Sequence, residues 1–316
     1  MKQQALISII IPVFNRAGIV GRTLDSIAAQ TLRPLNIILV DNNSSDNSFD
    51  VLNQWKKDND TDDFKITILQ EKKPGAAAAR NCGLSAVTTP YVMFFDSDDT
   101  MSPTHVENIA NAFIANPNSA IVGWDVTIHT LNGKTIKRRC HHKNTLFNHI
   151  FHGSLSTQRY AVKTSLIREV GAWNESLFGW DDYELGIRLL LRNKQIMHIE
   201  NGNDVHVFSQ HESITGTHYS SNPQKWEHAL NCCMELLTSH HKASLWINIR
   251  RCILAGEYRK EKDFKNYHRL INEVLQRTEN KYHKLFFKSV AIFISLGGRG
   301  TAILTRLFLT PKINLQ

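Results

Sequence analysis

The sequence predicts an α/β fold: a doubly wound, mostly parallel sheet with helices on both faces, followed by a C-terminal helical region. Two observations predict the sheet. Apolar runs alternate with helix-like segments over residues 1–130, and these runs are nearly continuous, as in strands buried on both faces. A third observation predicts the helical region, because the pattern after Asn222 is helical to near residue 316. Repeated strand–helix units join parallel strands through right-handed crossovers.

The predicted elements alternate in chain order. The first strand, over residues 6–13, is interrupted only by Ser8 and Pro12. The helix after it is predicted from Val20, Leu24 and Ile27, which fall on one face. The remaining strands are predicted over residues 36–40, 65–69, 91–95 and 120–128. The helices are predicted over residues 18–30, 46–56, 75–86, 103–115, 162–170 and 181–192.

The segment 134–154 has a mixed pattern and is rich in basic residues. Two interpretations remain open for it: a solvated loop, or a mobile segment beside an anionic substrate.

Composition places the chain among ordinary globular proteins, with 42% apolar and 21% charged residues. Its 316 residues suffice for one large domain or two smaller ones. The five cysteines lack metal-ligand spacing, so we expect reduced thiols in a cytoplasmic protein. We expect no signal peptide, because residues 1–6 lead directly into the first strand.

Charge is unevenly distributed along the chain. Residues 242–316 contain 15 Lys and Arg against 5 Asp and Glu, whereas residues 1–241 are slightly acidic. Such a tail suggests contact with an anionic surface, either membrane or nucleic acid. The apolar stretch 285–309 is too interrupted to span a bilayer. Two interpretations of this stretch remain open: a helix packed in the core, and an interfacial helix that inserts Phe286, Phe287, Ile292 and Phe293 shallowly.

An acidic tetrad, Asp96-Ser97-Asp98-Asp99, directly follows the apolar run 91–95. Crowded carboxylates at a strand end repel one another unless a cation lies between them. Magnesium and manganese prefer such oxygen ligands and keep positions open for substrate phosphates. The alternative is an acidic turn that closes the strand.

Three further segments carry polar residues at strand ends or helix starts. Asp41 ends the second strand and is free to face a ligand if Asp46 caps the next helix. Arg80 and Asn81 follow a run of small residues, which either packs tightly or lets a ligand approach. Asp181 and Asp182 begin a predicted helix, where they serve either as capping residues or as a general base.

The order of these segments resembles the inverting family 2 glycosyltransferases of the GT-A fold. The resemblance covers roughly residues 5–220, and six ordered motifs carry it. The matching positions are residues 11–15, 40–46, 75–83, 95–99, 171–175 and 181–185.

The resemblance implies a role for each matched position. Asp41 and the segment Pro12, Val13, Phe14 and Asn15 would hold the nucleotide base. The positions that would contact the rest of the nucleotide sugar are Arg80, Asn81, Asp96 and Ser97. Asp98 would be the principal ligand of a divalent metal, manganese or magnesium, with Asp96 beside it. His211 resembles a late segment that closes over the diphosphate, and is a candidate third ligand.

The general base implied by the resemblance is Asp182. Asp181 stands where the family usually has Glu, so it remains the alternative. One base without a nucleophile corresponds to single displacement with inversion, whereas hydrolytic glycosidases need two flanking carboxylates.

These motifs predict a metal-dependent inverting glycosyltransferase that uses a nucleotide sugar, with a UDP-sugar as the expected donor. The acceptor would be a growing surface glycan or a lipid-linked precursor. Residues 1–220 would form the catalytic domain, with a nucleotide-sugar half to about residue 130 and an acceptor half after it. Residues 221–316 would form a basic helical region at the inner face of a membrane, and no nucleic acid is expected as a partner.

Three other protein classes are alternatives to this function. A sugar-nucleotide nucleotidyltransferase should have a Gly-rich loop with a catalytic Lys or Arg, which the region after Pro12 lacks. A non-catalytic nucleotide- or glycan-binding module remains open. A dinucleotide-dependent dehydrogenase is disfavoured, because no Gly-x-Gly-x-x-Gly follows the first strand.

Overall fold

The computed structural model describes residues 4–200, 204–210 and 218–309. The chain divides into two compact units. The first comprises residues 1–149 and 154–213, and the second comprises residues 150–153 and 214–316. The domain boundary predicted at residue 220 stays a prediction.

The first unit contains the strands of two sheets and most of the helices that cover them. Its strands are β1 Ile7–Val13, β2 Leu35–Asp41, β3 Phe64–Gln70, β4 Tyr91–Phe94, β5 Thr100–Met101, β6 Ile121–Gly123, β7 Val126–His129, β8 Thr135–Arg138, β9 Tyr160–Lys163, β10 Met197–His198 and β11 Val205–Phe208. Its helices are α1 Val20–Ala28, α2 Ser48–Asn59, α3 Ala76–Ser85, α4 His105–Ala115, α5 Thr145–His152 (which runs into the second unit), α6 Thr164–Glu169 and α7 Asp181–Arg192.

The main sheet has seven strands in the order β10-β6-β9-β4-β1-β2-β3. Strands β4, β1, β2 and β3 are mutually parallel, and β9 is antiparallel to both of its neighbours. A second sheet has the order β5-β11-β7-β8. The prediction of a mostly parallel sheet in an α/β fold is therefore confirmed.

Apolar residues of β1 alternate between two cores, one on each face of the sheet. Ile9 and Ile11 pack with residues of α1, α2 and α4, whereas Ile10 packs with residues of α3, α6 and α7. This period of two is the geometry of a strand covered on both faces. Helix α3 packs tightly on the sheet at Gly83, where an added Cβ would be 2.5 Å from Cγ2 of Ile10.

Three predicted elements differ from the structure. The single strand predicted over residues 120–128 is two strands in different sheets, because the chain leaves the main sheet at Trp124 and Asp125. The basic segment 134–154 contains β8 and α5 rather than a loop alone; β8 is fully exposed, so no apolar alternation marks it. Residues 160–163, where the predicted helix 162–170 begins, form β9, since this short run pairs with strands on both sides.

The second unit is helical in its described part. Its helices are α8 Pro223–Leu236, α9 His241–Lys260, α10 Phe264–Gln276, α11 Lys281–Ser295 and α12 Thr301–Leu309. Helix α9 is packed against α8, α10 and α11. None of the described helices combines the length and the apolar character that crossing a bilayer requires. None of the five cysteines forms a disulfide.

Candidate active site

The carboxyl ends of β1 and β2 lie side by side, since Val13 pairs with Asp41 in the parallel register. Asp41 is only 1% exposed. The N–H of Ser44 donates to its Oδ2 at 3.3 Å, while Oδ1 has no hydrogen-bond partner among the described residues. A buried carboxylate oxygen without a donor is costly, so this atom is suited to accept from a ligand.

The loop after β1 is fixed to the loop after β2. Asn15 adopts a left-handed backbone with φ of 51°. Its N–H donates to Oγ of Ser44 at 3.0 Å, and its Oδ1 accepts from the N–H of Ser45 at 2.8 Å. Phe14 remains 55% exposed beside this rigid pair of loops. The segment Pro12 to Asn15 and Asp41 are therefore brought together, as the sequence predicted.

Asn42 positions the segment that leads into α3. Its amide donates to the backbone oxygens of Glu71 and Lys73 at 2.9 and 2.7 Å, and its Oδ1 accepts from the N–H of Gly75 at 2.9 Å. Gly75 has a φ of 118°, a conformation that favours glycine. The sequence assigned no role to Asn42, although it stands inside one of the matched motifs.

Arg80 joins the two acidic groups of the site. Its Nη2 contacts Oδ1 of Asp96 at 2.9 Å, and its Nη1 contacts Oδ2 of Asp181 at 2.8 Å. The guanidinium carbon lies 4.5 Å from the ring centre of Trp173. Burial would lower the pKa of Arg80, but Asp96 and Asp181 outweigh it and raise that pKa. Arg80 is thus a buried fixed charge that joins Asp96 to Asp181, and Asp181 lies 101 positions after Arg80 in the chain.

The tetrad residues have different environments. The second oxygen of Asp96 accepts a short hydrogen bond from Nε2 of Gln158. Ser97 is buried. Asp99 is 1% exposed, and its Oδ1 accepts from the N–H of Phe208 at 2.9 Å, so it anchors β11. Burial and the neighbouring Asp96 and Asp98 hold the pKa of Asp99 well above its ordinary value.

Asp98 is a half-buried carboxylate close to Asp96, Arg16 and Arg22. Burial and Asp96 raise its pKa, and the attraction of Arg16 and Arg22 is too weak to offset them. Within residues 4–200, 204–210 and 218–309, no group of three or more His, Cys, Asp and Glu side chains is arranged as a metal site. A metal here would need substrate oxygens besides one or two carboxylates, which is how magnesium is usually held. The residues present therefore fit a metal that binds together with a phosphate-bearing ligand.

Asp181 and Asp182 occupy the first turn of α7, preceded by Trp180 in a left-handed conformation. Asp181 is committed to Arg80, whereas no ion pair involves Asp182 within the described part of the chain. Burial raises the pKa of Asp182 to about 7, helped by Asp181 and opposed by Arg80. A carboxylate with a pKa near neutrality is a better proton acceptor than one held by arginine.

Asn81 faces a different segment from Arg80. Its Nδ2 donates to the backbone oxygen of Trp173 at 2.9 Å and to Oε1 of Glu175 at 2.7 Å, and its Oδ1 accepts from the N–H of Trp173 at 3.0 Å. Lys73 holds the other oxygen of Glu175 at 2.6 Å. These contacts place Trp173 beneath Arg80, and a direct contact of Asn81 with a donor stays a prediction.

His211 lies outside the described residues. The chain leading toward it is fixed at Phe208, whose ring packs under Arg22 at 4.2 Å. Arg22 also donates to the backbone oxygen of Asp98. No motif pointed to Arg22 or Gln158, because each reaches the tetrad from a distant part of the chain.

The fold and the site define a protein of the glycosyltransferase type. The model of the Glycosyl transferase family 2 matches residues 8–167, which is just over half of the chain. The chain therefore belongs to glycosyl transferase family 2.

Two relatives of this chain are a glycosyltransferase and a teichoic acid biosynthesis protein. Glycosyltransferase GlyG of Streptococcus pneumoniae is 26% identical over 200 residues, which cover 62% of this chain and 60% of GlyG. The minor teichoic acid biosynthesis protein GgaA of Bacillus subtilis is 24% identical over 248 residues, covering 73% of this chain and 54% of GgaA. The chain thus spans less than two thirds of the length of these relatives.

Two solved structures share the fold. The 1–349 segment of S. aureus TarS, determined with UDP-GlcNAc, has a TM-score of 0.72 at 15% identity, covering 92% of this chain and 92% of that segment. The mannosyltransferase PcManGT of Pyrobaculum calidifontis, determined with GDP-Man and Mn²⁺, has a TM-score of 0.57 at 14% identity, covering 98% of this chain and 89% of PcManGT.

Proposed function

We propose that this protein is a metal-dependent inverting glycosyltransferase that moves a sugar from a nucleotide sugar to a hydroxyl of a surface glycan or its lipid-linked precursor. The observation that carries the proposal is the Arg80 bridge. It joins Asp96 of the tetrad to Asp181, next to Asp182, at 2.9 and 2.8 Å. The Arg80 guanidinium thereby holds the acidic tetrad, proposed to bind metal, close to Asp182, the proposed general base.

The donor would lie across the ends of β1, β2 and β4. The unpartnered oxygen of Asp41 would accept a hydrogen bond from the nucleotide base, beside Pro12, Val13, Phe14 and Asn15. Arg80 would face the phosphates, with Asn81, Asp96 and Ser97 around the ribose and the sugar. The structures of TarS with UDP-GlcNAc and PcManGT with GDP-Man support a nucleotide sugar, and a UDP-sugar is our first choice.

Asp98 and Asp96 would hold manganese or magnesium. When bound, the metal would neutralise charge on the nucleoside diphosphate leaving group. The Mn²⁺ in PcManGT supports this assignment.

Asp182 would accept the proton of the acceptor hydroxyl as the new bond forms. Asp182 is half-buried, and loss of solvent together with the charge of Asp181 gives it the raised pKa that general base catalysis needs. Arg80 would hold Asp181 in place through their 2.8 Å ion pair, beside Asp182, whose pKa the charge of Asp181 raises. One base acting on one acceptor corresponds to a single displacement that inverts the anomeric configuration.

The second unit offers a surface for the membrane that carries such an acceptor. On α11, Phe287, Val290 and Ile294 are buried, so the expected insertion of Phe287 is wrong. The opposite faces of α11 and α12 expose large apolar side chains: Tyr282, Leu285, Ile292, Phe293, Leu296, Ile303, Leu307 and Phe308. Residues 280–316 contain six Lys and Arg and no Asp or Glu. This surface therefore combines exposed apolar side chains with basic residues and no acidic ones. We infer that it docks on an anionic lipid leaflet.

Thermal unfolding with a panel of nucleotide sugars, with and without manganese, tests the enzymatic proposal. One nucleotide sugar should stabilise the protein only when metal is present, since a ligand at a hundredfold excess over its Kd adds about 2.7 kcal/mol. NMR of the transfer product should show inverted anomeric configuration. Two results would contradict the proposal: a product that retains the anomeric configuration of the donor, or stabilisation by a nucleotide sugar that a metal chelator does not remove.

A further inference from the structure

A cavity of about 530 Å³ opens in the first unit, at the basic segment after β8. We call it the basic cavity. None of its lining residues belongs to the proposed donor, metal or base positions. Six of them are basic: Lys137, Arg139, His141, His142, Lys143 and His198.

The basic cavity has two carboxylates, fewer than its Lys and Arg side chains, so its net charge is positive. Asp125 is committed, since its Oδ1 accepts from the N–H of Cys140 at 2.8 Å and contacts Nε2 of His198 at 3.0 Å. Burial opposes ionisation of Asp125, but the Cys140 N–H and His198 outweigh it and lower its pKa. Glu200 is the other carboxylate, and it is exposed at the edge.

The floor of the basic cavity is rigidly built. Cys140 is buried against Gly123, where an added Cβ would be 2.6 Å from its Sγ. The rings of His142 and His198 stack with centres 5.2 Å apart. Exposed Lys137, Arg139 and Lys143 then line the opening, where long cationic side chains can close on an anion.

The chemistry of the basic cavity is electrostatic. Burial raises the pKa of Cys140 to about 11, so its thiol is neither a nucleophile nor a metal ligand at neutral pH. The described residues around it form no metal-type group of His, Cys, Asp and Glu. Clustered Lys, Arg and His side chains are suited to phosphate, which arginine binds through paired hydrogen bonds.

The basic cavity is connected to the catalytic centre through two consecutive residues. Gln158 donates to Asp96 of the tetrad, and Arg159 donates to the backbone oxygen of Arg139 in the cavity wall. Trp124, which precedes Asp125, is hydrogen-bonded to both residues. Its Nε1 donates to the backbone oxygen of Gln158 at 2.7 Å, and its backbone N–H donates to the backbone oxygen of Arg159 at 3.1 Å.

We propose that the basic cavity binds a phosphate group of the acceptor. The proposal rests on the proposed function, which places the donor phosphates at the tetrad instead. Only the acceptor then remains as a source of phosphate for a second cationic site. A phosphate held here would orient the acceptor hydroxyl relative to Asp182.

The test is a calorimetric titration of the full chain with inorganic pyrophosphate in EDTA. Without metal, the carboxylates of the tetrad repel pyrophosphate, and the comparison of two charge-removing variants separates the basic cavity from the other basic surfaces of the chain. Lys137→Gln with Arg139→Gln should weaken binding about 10- to 100-fold, as expected for lost charged hydrogen bonds. The matched control is Lys134→Gln with Arg138→Gln, which removes the same charge from exposed residues of the same hairpin that do not line the cavity. Equal weakening in both variants, or no binding by the unaltered protein, overturns the proposal.

Further measurements separate this inference from the proposed function. Metal-dependent donor binding should be unchanged in the Lys137/Arg139 variant, while KM for a phosphorylated acceptor rises. A protein that binds no donor refutes the proposed function but leaves the pyrophosphate titration interpretable. Glycerol 3-phosphate distinguishes the source: binding as tight as pyrophosphate indicates a polyol phosphate chain, and much weaker binding indicates a lipid diphosphate.

Discussion

Arg80 determines the charge balance of the candidate site. One guanidinium, 5% exposed, lies between Asp96 and Asp181. Removing one member of such a buried group leaves the others uncompensated, so these residues act as a unit. The two neighbouring carboxylates, Asp98 and Asp182, are left without an ion pair among the described residues and have raised pKa values. They are the residues at which substitutions are most informative.

Replacing Asp182 tests the general base. Asp182→Asn keeps the shape of the side chain but cannot accept a proton, so kcat should fall roughly 100-fold or more with donor affinity nearly unchanged. Asp181→Asn should instead loosen Arg80 and weaken donor binding. Steady-state kinetics and calorimetry of both variants decide between them. Normal turnover by Asp182→Asn, with Asp181→Asn inactive, would assign the base to Asp181.

The raised pKa of Asp182 predicts opposite effects of pH on activity and stability. The base works when ionised, so kcat/KM should rise with pH up to about 7 and then level off. The folded state holds its proton to higher pH than the unfolded state. Stability from this group is therefore full at low pH and is lost as pH rises through about 7.

Denaturation by urea at about pH 5 and about pH 8 measures the stability effect. Asp182→Asn should gain up to about 4 kcal/mol over the unaltered protein at the higher pH, given about 1.4 kcal/mol per pKa unit. An identical difference between the two proteins at both pH values would show that Asp182 titrates normally.

Replacing Asp98 tests the metal. Asp98→Ala should abolish metal-dependent donor binding and leave the fold intact, because the substitution removes the principal ligand while relieving repulsion from Asp96. Calorimetric titration with manganese provides the measurement. Asp58→Ala, on the exposed side of α2, is the matched control for loss of one negative charge. Donor affinity unchanged in Asp98→Ala would remove this residue from the site.

At the scale of elements, helix α3 positions the site by packing tightly on the sheet at Gly83. Gly83 allows this approach, and Arg80 sits one turn earlier on the same helix. Asn81 joins the helix to the segment 173–175, and Asn42 joins its start to the end of β2. The small residues of the motif therefore serve packing, and the polar ones fix neighbouring loops.

Two glycine substitutions test this role of α3. Gly83→Ala should destabilise the protein by about 1–3 kcal/mol, since its Cβ would lie 2.5 Å from Ile10 and 3.1 Å from Val40. Gly21→Ala in α1, where no atom lies within 4 Å, should be neutral or stabilising by up to about 1 kcal/mol. Urea denaturation measures both. Equal stability of the two variants would mean that α3 can shift without cost.

At the scale of the whole molecule, positive charge is concentrated in the second unit. Residues 242–316 carry 15 Lys and Arg against 5 Asp and Glu, and the end of this region has exposed apolar side chains as well. Each basic residue near an anionic leaflet contributes about 1 kcal/mol to the free energy of membrane binding. Several such residues together would give stable attachment that weakens at high salt.

Sedimentation with vesicles tests this attachment. The protein should sediment with mixed phosphatidylcholine and phosphatidylglycerol vesicles, and high salt should release it. Leu285→Ser with Ile292→Ser should weaken sedimentation, because both side chains are exposed on α11. The control is Ile114→Ser, 64% exposed on α4 in the first unit. A dimer that dissociates in the α11 variant, without any vesicle binding, would assign the surface to a second copy of the chain.

Local sequence determined the framework of this protein. The apolar runs of β1, β2 and β4 are buried on both faces, and helices α1, α2 and α3 have apolar stripes that face the sheet. Such periodicity acts over a few residues and is visible in the chain itself. Parallel pairing then brings the ends of these strands together, so Asp41 and the tetrad could be predicted as parts of one site.

Tertiary structure alone decided how the site works. Arg80 meets Asp181 across 101 positions, and Gln158 meets Asp96 across 62. The break of the strand at Trp124 and the basic cavity likewise depend on packing by distant segments. The raised pKa of Asp182 also arises there, because a pKa is set by burial and by neighbouring charges that distant parts of the chain supply.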